Sequence, residues 1–367
     1  MESTHEHGAA KGEFADGADS GTDDNPKSIP IAEQGRFRDY AIGKVAELFG
    51  RINALYKETA DGLGYGDDAG GLAPPHVEFK PHYARRNSTV NKAVVASYFK
   101  GGNKEESVPP NSIVVYLPAY DMFLNMEHVG SDAARRVEEE LLITDMGHEL
   151  GHELLRKLSE LSLRKRLEQS YDKELGAALA EVLSPMMRGN QAIPEEANTR
   201  LNESLAQVIG VYAVASTLGK PTSNEALAKN MLETVREDSV ELESQYGTVL
   251  KALDSLSPDE KREEEIAVDS NEKYMEVYAL PRLGMAEALA ANQDMPLPEF
   301  IGKAFAKPED FADGIQQHVL DKNGRLSALR RSFEPPADLK GKAMALRDVA
   351  TDTKVEAGYA LKELEKS

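Results

Sequence analysis

The stretch Thr144–Leu155 reads TDMGHELGHELL and places two histidines four residues apart. Residues at that spacing on an α-helix differ by only about 40° in direction, so His148 and His152 project from one face. Apolar residues recur before and after the stretch, which is typical of a helix that packs against a core. Neutral imidazole is a preferred ligand of Zn²⁺. The stretch therefore predicts a helix that offers two ligands to a zinc ion.

Glu149 directly follows the first histidine. On a helix this offset places its carboxylate beside the metal position rather than in it. A carboxylate there can hold a metal-activated water and remove its proton. We therefore expect Glu149 as general base, His148 and His152 as ligands, and Zn²⁺ as the cofactor.

The five residues His148–His152 resemble the His-Glu-x-x-His signature of the zincin metallopeptidases. The resemblance is specific over these residues, looser over residues 76–160 and weak elsewhere. It implies that both histidines bind zinc and that Glu149 acts as general base and then as proton shuttle. It also implies a peptide or protein substrate that pairs with an edge strand, for which Val94–Phe99 is the candidate. This chain departs from the family's pattern at Glu153, where the family commonly has an uncharged residue.

A third protein ligand is needed if water is to hold the fourth position of a tetrahedral zinc site. The metzincin branch would require glycine and histidine where this chain has Leu155 and Leu158, so that branch is excluded. A carboxylate ligand points instead to the gluzincin branch. Glu203 is the favoured residue, because LNESLA over 201–206 resembles the Asn-Glu-x-x-Ala ligand helix of that branch. Small residues share its helix face, which predicts a close approach by the active-site helix.

Two other glutamates remain open as the third ligand. Glu174 begins the segment ELGAA, which resembles the glutamate-bearing helix of gluzincin-like peptidases related to phage-repressor-cleaving enzymes. Glu225, in the segment NEALA, repeats the Asn-Glu-x-x-Ala pattern, but Lys229 follows at the spacing of a helical ion pair. For the group that stabilises an oxyanion, the sequence offers four candidates without a choice among them: Tyr278, Arg282, Tyr212 and His318.

Short runs rich in β-branched and aromatic residues precede the motif at His76–Lys80, Ala93–Lys100 and Ser112–Leu117. From Ser131 onward the pattern is helical. This order predicts an α+β, zincin-like fold with a small, mainly antiparallel sheet, then the active-site helix, then a predominantly helical C-terminal part. Further helices are predicted over 174–184, 199–217, 223–256, 271–291 and 338–364, with breaks or first turns at the prolines.

Composition divides the chain into three parts. Residues 1–30 are polar and acidic and are predicted to form a disordered tail. Residues 31–215 are predicted to form a zincin-like catalytic domain. Residues 216–367 are predicted to form a helical C-terminal subdomain that completes the cleft.

Composition also excludes several classes of protein. The chain has 367 residues and no cysteine, which excludes disulfide scaffolds, cysteine zinc fingers, iron–sulfur clusters and thiol nucleophiles. A net charge of −20 argues against a nucleic-acid partner. No apolar run approaches the roughly 18–20 residues of a membrane span, and the N-terminus does not resemble a signal peptide. A cytoplasmic location is expected, and the oligomeric state is not readable from the sequence.

The interpretation from sequence is a gluzincin-type, zinc-dependent metallopeptidase with ligands His148, His152 and Glu203 and with Glu149 as general base. Two alternatives are a non-catalytic, zincin-like zinc-binding interaction protein and a hydrolase that acts on a non-peptide bond. Coverage of strand 94–99 by the chain itself would argue against peptide binding there.

Overall fold

The computed structural model describes residues 31–366 apart from 81, 83, 87–88, 92–94, 100, 104–106, 184–193 and 321–337. The predicted tail, residues 1–30, lies outside the described residues. The helices are α1 (Ile31–Gly62), α2 (Leu117–His128), α3 (Asp132–Ser170), α4 (Lys173–Leu183), α5 (Glu195–Thr217), α6 (Asn224–Ala252), α7 (Pro258–Tyr274), α8 (Leu280–Ala291), α9 (Leu297–Ala306), α10 (Pro308–Leu320) and α11 (Leu339–Leu364). The strands are β1 (His76–Phe79), β2 (Ala84–Arg86), β3 (Thr89–Asn91), β4 (Ala96–Phe99) and β5 (Ser112–Val115).

The chain has the predicted α+β character, with a small sheet before a long run of helices. The three-stranded sheet has the order β1-β5-β4. The β4–β5 pair is antiparallel, as expected, but β1 and β5 run parallel. The sheet is therefore mixed, and the prediction of a mainly antiparallel sheet is corrected. The central strand is β5. Its four residues are all buried, which is typical of a strand with a neighbour on each side, and here those two neighbours run in opposite directions.

A second, two-stranded antiparallel ladder joins β2 to β3. It interrupts the connection from β1 to β4, and the sequence pattern did not indicate it. Each strand has only three residues, which is too short for an alternating pattern to stand out.

Helix α3 carries the histidine motif and runs without a break from Asp132 to Ser170. Leucine and methionine side chains at a spacing of four residues, including Met146, Leu150 and Leu154, are fully buried along one face. Helices α1, α2 and α5 pack around it. The polar motif lies where α5 crosses α3, next to Gly147 and Gly151.

Prolines mark helix starts in several places, as the pattern predicts. Pro258 and Pro308 begin α7 and α10, and Pro194 and Pro296 precede α5 and α9. Pro281 is different, because α7 continues through a π-helical turn at Met275–Ala279 directly into α8. The wider π turn accommodates the missing proline N–H, so the helix changes register instead of ending.

The buried apolar residues form one continuous cluster that extends from Phe37 in α1 to Leu361 in α11. This core crosses the predicted boundary between residues 215 and 216, and helices on the C-terminal side, such as α8 and α10, pack against α5. None of the helices in the described residues combines the length and the apolar character needed to cross a bilayer.

Candidate metal centre

Three side chains from two helices converge at one point. Helix α3 contributes His148 and His152, and α5 contributes Glu203. The Nε2 atoms of the two histidines lie 3.1 Å apart. Oε2 of Glu203 lies 3.2 Å from Nε2 of His148 and 3.4 Å from Nε2 of His152. The three donor atoms therefore form a nearly equilateral triangle.

This triangle has the size that a tetrahedral zinc site requires. Bonds of about 2.0–2.2 Å at tetrahedral angles place any two ligand atoms about 3.3–3.6 Å apart. The observed separations agree with that spacing to within a few tenths of an ångström. The residues present therefore fit the ion that the motif implies, and among the described residues three side chains supply the ligand atoms.

The electrostatics of the triangle also favour a cation. The side chains of His148, His152 and Glu203 are only 10%, 15% and 6% exposed. Unprotonated imidazole nitrogens and carboxylate oxygens are ligand atoms for a cation, and burial strengthens their attraction to it because screening by solvent is weak. Nδ1 of His148 is buried and has no hydrogen-bond partner among the described residues.

Small residues bring the two helices into backbone contact at the site. A Cβ built on Gly210 of α5 would lie 2.6 Å from the backbone nitrogen of His148. A Cβ on Gly151 of α3 would lie 2.7 Å from the carbonyl oxygen of Ala206. These distances are well inside van der Waals contact, so the crossing tolerates no larger side chain. The predicted close approach along the Ala206–Gly210 face is confirmed.

The crossing gives a prediction for Gly210→Ala. The added methyl group has to push α5 away from α3, which we expect to cost about 1–3 kcal/mol of unfolding free energy. It should also weaken zinc binding, because the push separates Glu203 from the histidines. Denaturant unfolding and a zinc titration measure the two effects.

Gly247→Ala is the matched control, because it lies inside helix α6 with no atom within 4 Å of its built Cβ. There alanine should be neutral or stabilising by up to about 1 kcal/mol. Equal changes in unfolding free energy and in zinc affinity in the two variants would contradict the close contact between α3 and α5.

The structure does not bring the other two glutamates to the histidines. Glu174 is exposed in the first turn of α4, and Glu225 is exposed in the first turn of α6. Helix α3 continues for five turns beyond His152 before α4 begins. Glu174 therefore lies beyond the far end of α3 and away from the histidines. Glu203 is the carboxylate that joins His148 and His152 in the described residues.

Glu149 is buried beside the triangle and reaches the sheet. Its Oε2 accepts a hydrogen bond of 3.2 Å from the backbone N–H of Tyr98 in β4. The position agrees with the prediction that this carboxylate stands next to the metal position and does not occupy it. Strand β4 lies at the edge of its sheet, and it overlaps the predicted edge strand Val94–Phe99, of which Val94 lies outside the described residues.

Glu153, where the chain departs from the zincin pattern, is buried with partners of its own. It is 1% exposed and forms an ion pair with Arg156. It also accepts a hydrogen bond of 2.8 Å from the hydroxyl of Tyr98. Burial, followed by the negative charge of Glu153, raises the pKa of Tyr98 far above its usual range. The phenol therefore stays protonated and remains a donor.

Of the four oxyanion candidates, Tyr278 and Arg282 lie near the triangle. The ring of Tyr278 is 6.4 Å from that of His148, centroid to centroid. Arg282 donates to Oε1 of Gln207 at 3.2 Å, one turn along α5 from Glu203. Both come from the π turn and the start of α8, which supports a functional interpretation of that irregularity.

Tyr212 and His318 do not contribute in the same way. The main charged groups acting on Tyr212 are Glu58 and Arg51 of helix α1, and burial raises its pKa. It therefore faces α1. The side chain of His318 lies outside the described residues.

Sequence reasoning missed the polar cluster behind Tyr278. Arg282 donates to the hydroxyl of Tyr274 at 3.2 Å and lies 3.5 Å from Asp238 of α6. Burial raises the pKa of Tyr274 above its usual range, so its hydroxyl donates to Asp238. Tyr274 and Tyr278 are four positions apart, which places them on one face of a helix. This spacing is the signal that could have paired them.

Comparison of the chain with family models, with curated proteins and with solved structures finds no match.

Proposed function

We propose that this protein is a zinc-dependent metallopeptidase in which His148, His152 and Glu203 bind the ion and Glu149 is the general base. The observation that carries the proposal is the triangle of buried donor atoms with 3.1–3.4 Å sides. Two imidazoles, one carboxylate and an open fourth position are the ligand set of catalytic zinc sites, whereas structural sites use all four positions for protein ligands.

Zinc bound here would lower the pKa of a water molecule and polarise a substrate carbonyl. The chain's own residues supply the proton chemistry. Glu149 stands one residue from His148 and accepts the proton of the attacking water. It then returns the proton to the leaving nitrogen, so that the C–N bond breaks and an amine and a carboxylic acid result.

One edge of β4 pairs with no other strand among the described residues, and this free edge supports a peptide as the substrate. Strand β4 is hydrogen-bonded to β5 on one side, and its other edge faces the Glu149 carboxylate. An extended peptide can add to such an edge through backbone hydrogen bonds. The arrangement that positions the base therefore also supports a peptide as the substrate class.

The metal content of the purified wild-type protein tests the class of protein directly. We expect about one zinc per chain and cleavage of a mixture of fluorescence-quenched peptides, lost on chelation and restored by added zinc. Zinc without cleavage would favour the interaction-protein alternative or a non-peptide substrate. Absence of zinc after incubation with the ion would reject the metal site.

A further inference from the structure

At the free edge of β4, the edge that faces away from β5, the strand contacts Glu149, the proposed general base. Directly before β4, the carbonyl of Val95 accepts from the N–H of Tyr116 at 3.0 Å. Backbone groups alternate sides along an antiparallel strand, so Ser97 also faces β5, whereas Tyr98 faces away from it. The Tyr98 N–H that points to the free edge donates to Oε2 of Glu149.

The side chain of Tyr98 binds a second carboxylate on the same helix. Its hydroxyl donates to Oε2 of Glu153 at 2.8 Å and lies 2.8 Å from Oδ1 of Asn111. Glu153 follows Glu149 by four residues, so both project from one face of α3. One residue of the edge strand thus contacts two successive carboxylates of α3, one through its backbone and one through its side chain.

The second contact is the firmer of the two. Glu153 is buried and held by Arg156, which also pairs with Glu160. Hydrogen bonds to charged groups are worth more than neutral ones, and a buried carboxylate that loses a donor is left partly unsatisfied. The hydrogen bond from the Tyr98 hydroxyl to Glu153 therefore holds β4 at one position along α3. At this position the Tyr98 N–H contacts Glu149.

We propose that Tyr98 is a positioning residue that holds the Glu149 carboxylate on the free edge of β4, with Glu153 as its anchor. The inference rests on the proposed function, in which Glu149 accepts the proton of the attacking water. An extended peptide that pairs with β4 needs the same Tyr98 N–H. Peptide binding therefore displaces Glu149 from the strand and leaves its carboxylate available for proton transfer. The hydrogen bond from the Tyr98 hydroxyl to Glu153 is kept, so β4 and the peptide paired with it stay where Glu149 reaches the attacking water.

Tyr98→Phe tests the anchor, because it removes the hydroxyl and keeps the ring and the backbone N–H. We expect kcat on the fluorescence-quenched peptides to fall about tenfold, as for loss of one hydrogen bond to a charged group, with zinc content unchanged. Tyr40→Phe is the matched control, since it removes a tyrosine hydroxyl from Glu139 at 3.3 Å, elsewhere on α3. It should leave kcat unchanged. Equal kcat in both variants and the wild type would overturn the proposal.

Amide hydrogen exchange tests the Tyr98–Glu149 contact without any substrate. In Glu149→Ala we expect the residue 98 amide to exchange about tenfold faster. The neighbouring Ser97 amide faces β5 and should not change. Unchanged exchange at residue 98 would overturn the proposal.

The two proposals fail in different ways. If the chain binds no zinc and cleaves no peptide but the exchange effect is present, the metallopeptidase function fails and the contact stands. If zinc and cleavage are present while exchange at residue 98 and kcat in Tyr98→Phe are unchanged, only the positioning role fails.

Discussion

Replacing Glu149 with glutamine is expected to reduce peptide turnover by about 10³-fold, because general acid–base catalysis typically contributes about 10²–10⁴-fold. Glutamine has the size of glutamate, and its amide oxygen can still accept the Tyr98 N–H. It cannot take a proton from water. Initial rates on the fluorescence-quenched peptides measure the loss, and elemental analysis should still find about one zinc per chain, as in a site with the three protein ligands intact.

Glu140→Gln is a suitable control on the same helix. Glu140 pairs with Lys220 at the surface, remote from the donor triangle, so this variant should keep wild-type activity and zinc content. Full activity in Glu149→Gln would mean that another group takes the proton. Loss of zinc in Glu149→Gln would mean that Glu149 contributes to the metal site itself.

The parts of the site that depend on local spacing were predictable from the sequence. His148 and His152 share a helix face because they are four residues apart, and Glu149 must then stand beside them. The pairing of α3 with α5 was also foreseeable, because glycine and alanine on the face of Glu203 allow the backbones to touch. Local periodicity and side-chain size were sufficient for these features.

Contacts between residues far apart in the chain were not predictable in the same way. Tyr98 and Glu149 are separated by 51 positions, and nothing in either segment specifies the partner. The parallel pairing of β1 with β5 was not predictable for the same reason, because a single sequence indicates which segments are strands better than it indicates their order in a sheet. Glu153 was partly readable, because Arg156 stands at the i+3 spacing of a helical ion pair, but its burial depends on tertiary packing.

Pro281 illustrates tertiary structure overriding a local signal. A proline usually ends a helix, since it lacks the N–H and crowds the preceding turn. Here a π turn precedes it, and the helix continues as α8. Tyr278 on this turn stacks on Tyr274, the last residue of α7, at 5.8 Å between ring centroids. The ring of Tyr278 lies 6.4 Å from that of His148. The irregular geometry therefore places residues at the site that a regular helix would direct elsewhere.

Replacing Glu203 with alanine is expected to weaken zinc binding by at least about 100-fold, because even partners outside the ligand set affect affinity 10–100-fold. The substitution removes the charged member of the triangle and leaves only His148 and His152 to hold the ion. A competitive zinc titration with a chelating indicator measures the change. Zinc should also raise the unfolding midpoint less in this variant than in the wild type, since stabilisation by a ligand grows with the logarithm of its affinity.

Glu174→Ala and Glu225→Ala are the matched controls, because each removes an exposed glutamate from the first turn of a helix. Both should bind zinc as the wild type does. Retained affinity in Glu203→Ala with loss in Glu174→Ala would transfer the third ligand to Glu174 and would require α4 to move toward α3. The order of the three affinities therefore decides whether the triangle of donor atoms is the metal site of this protein.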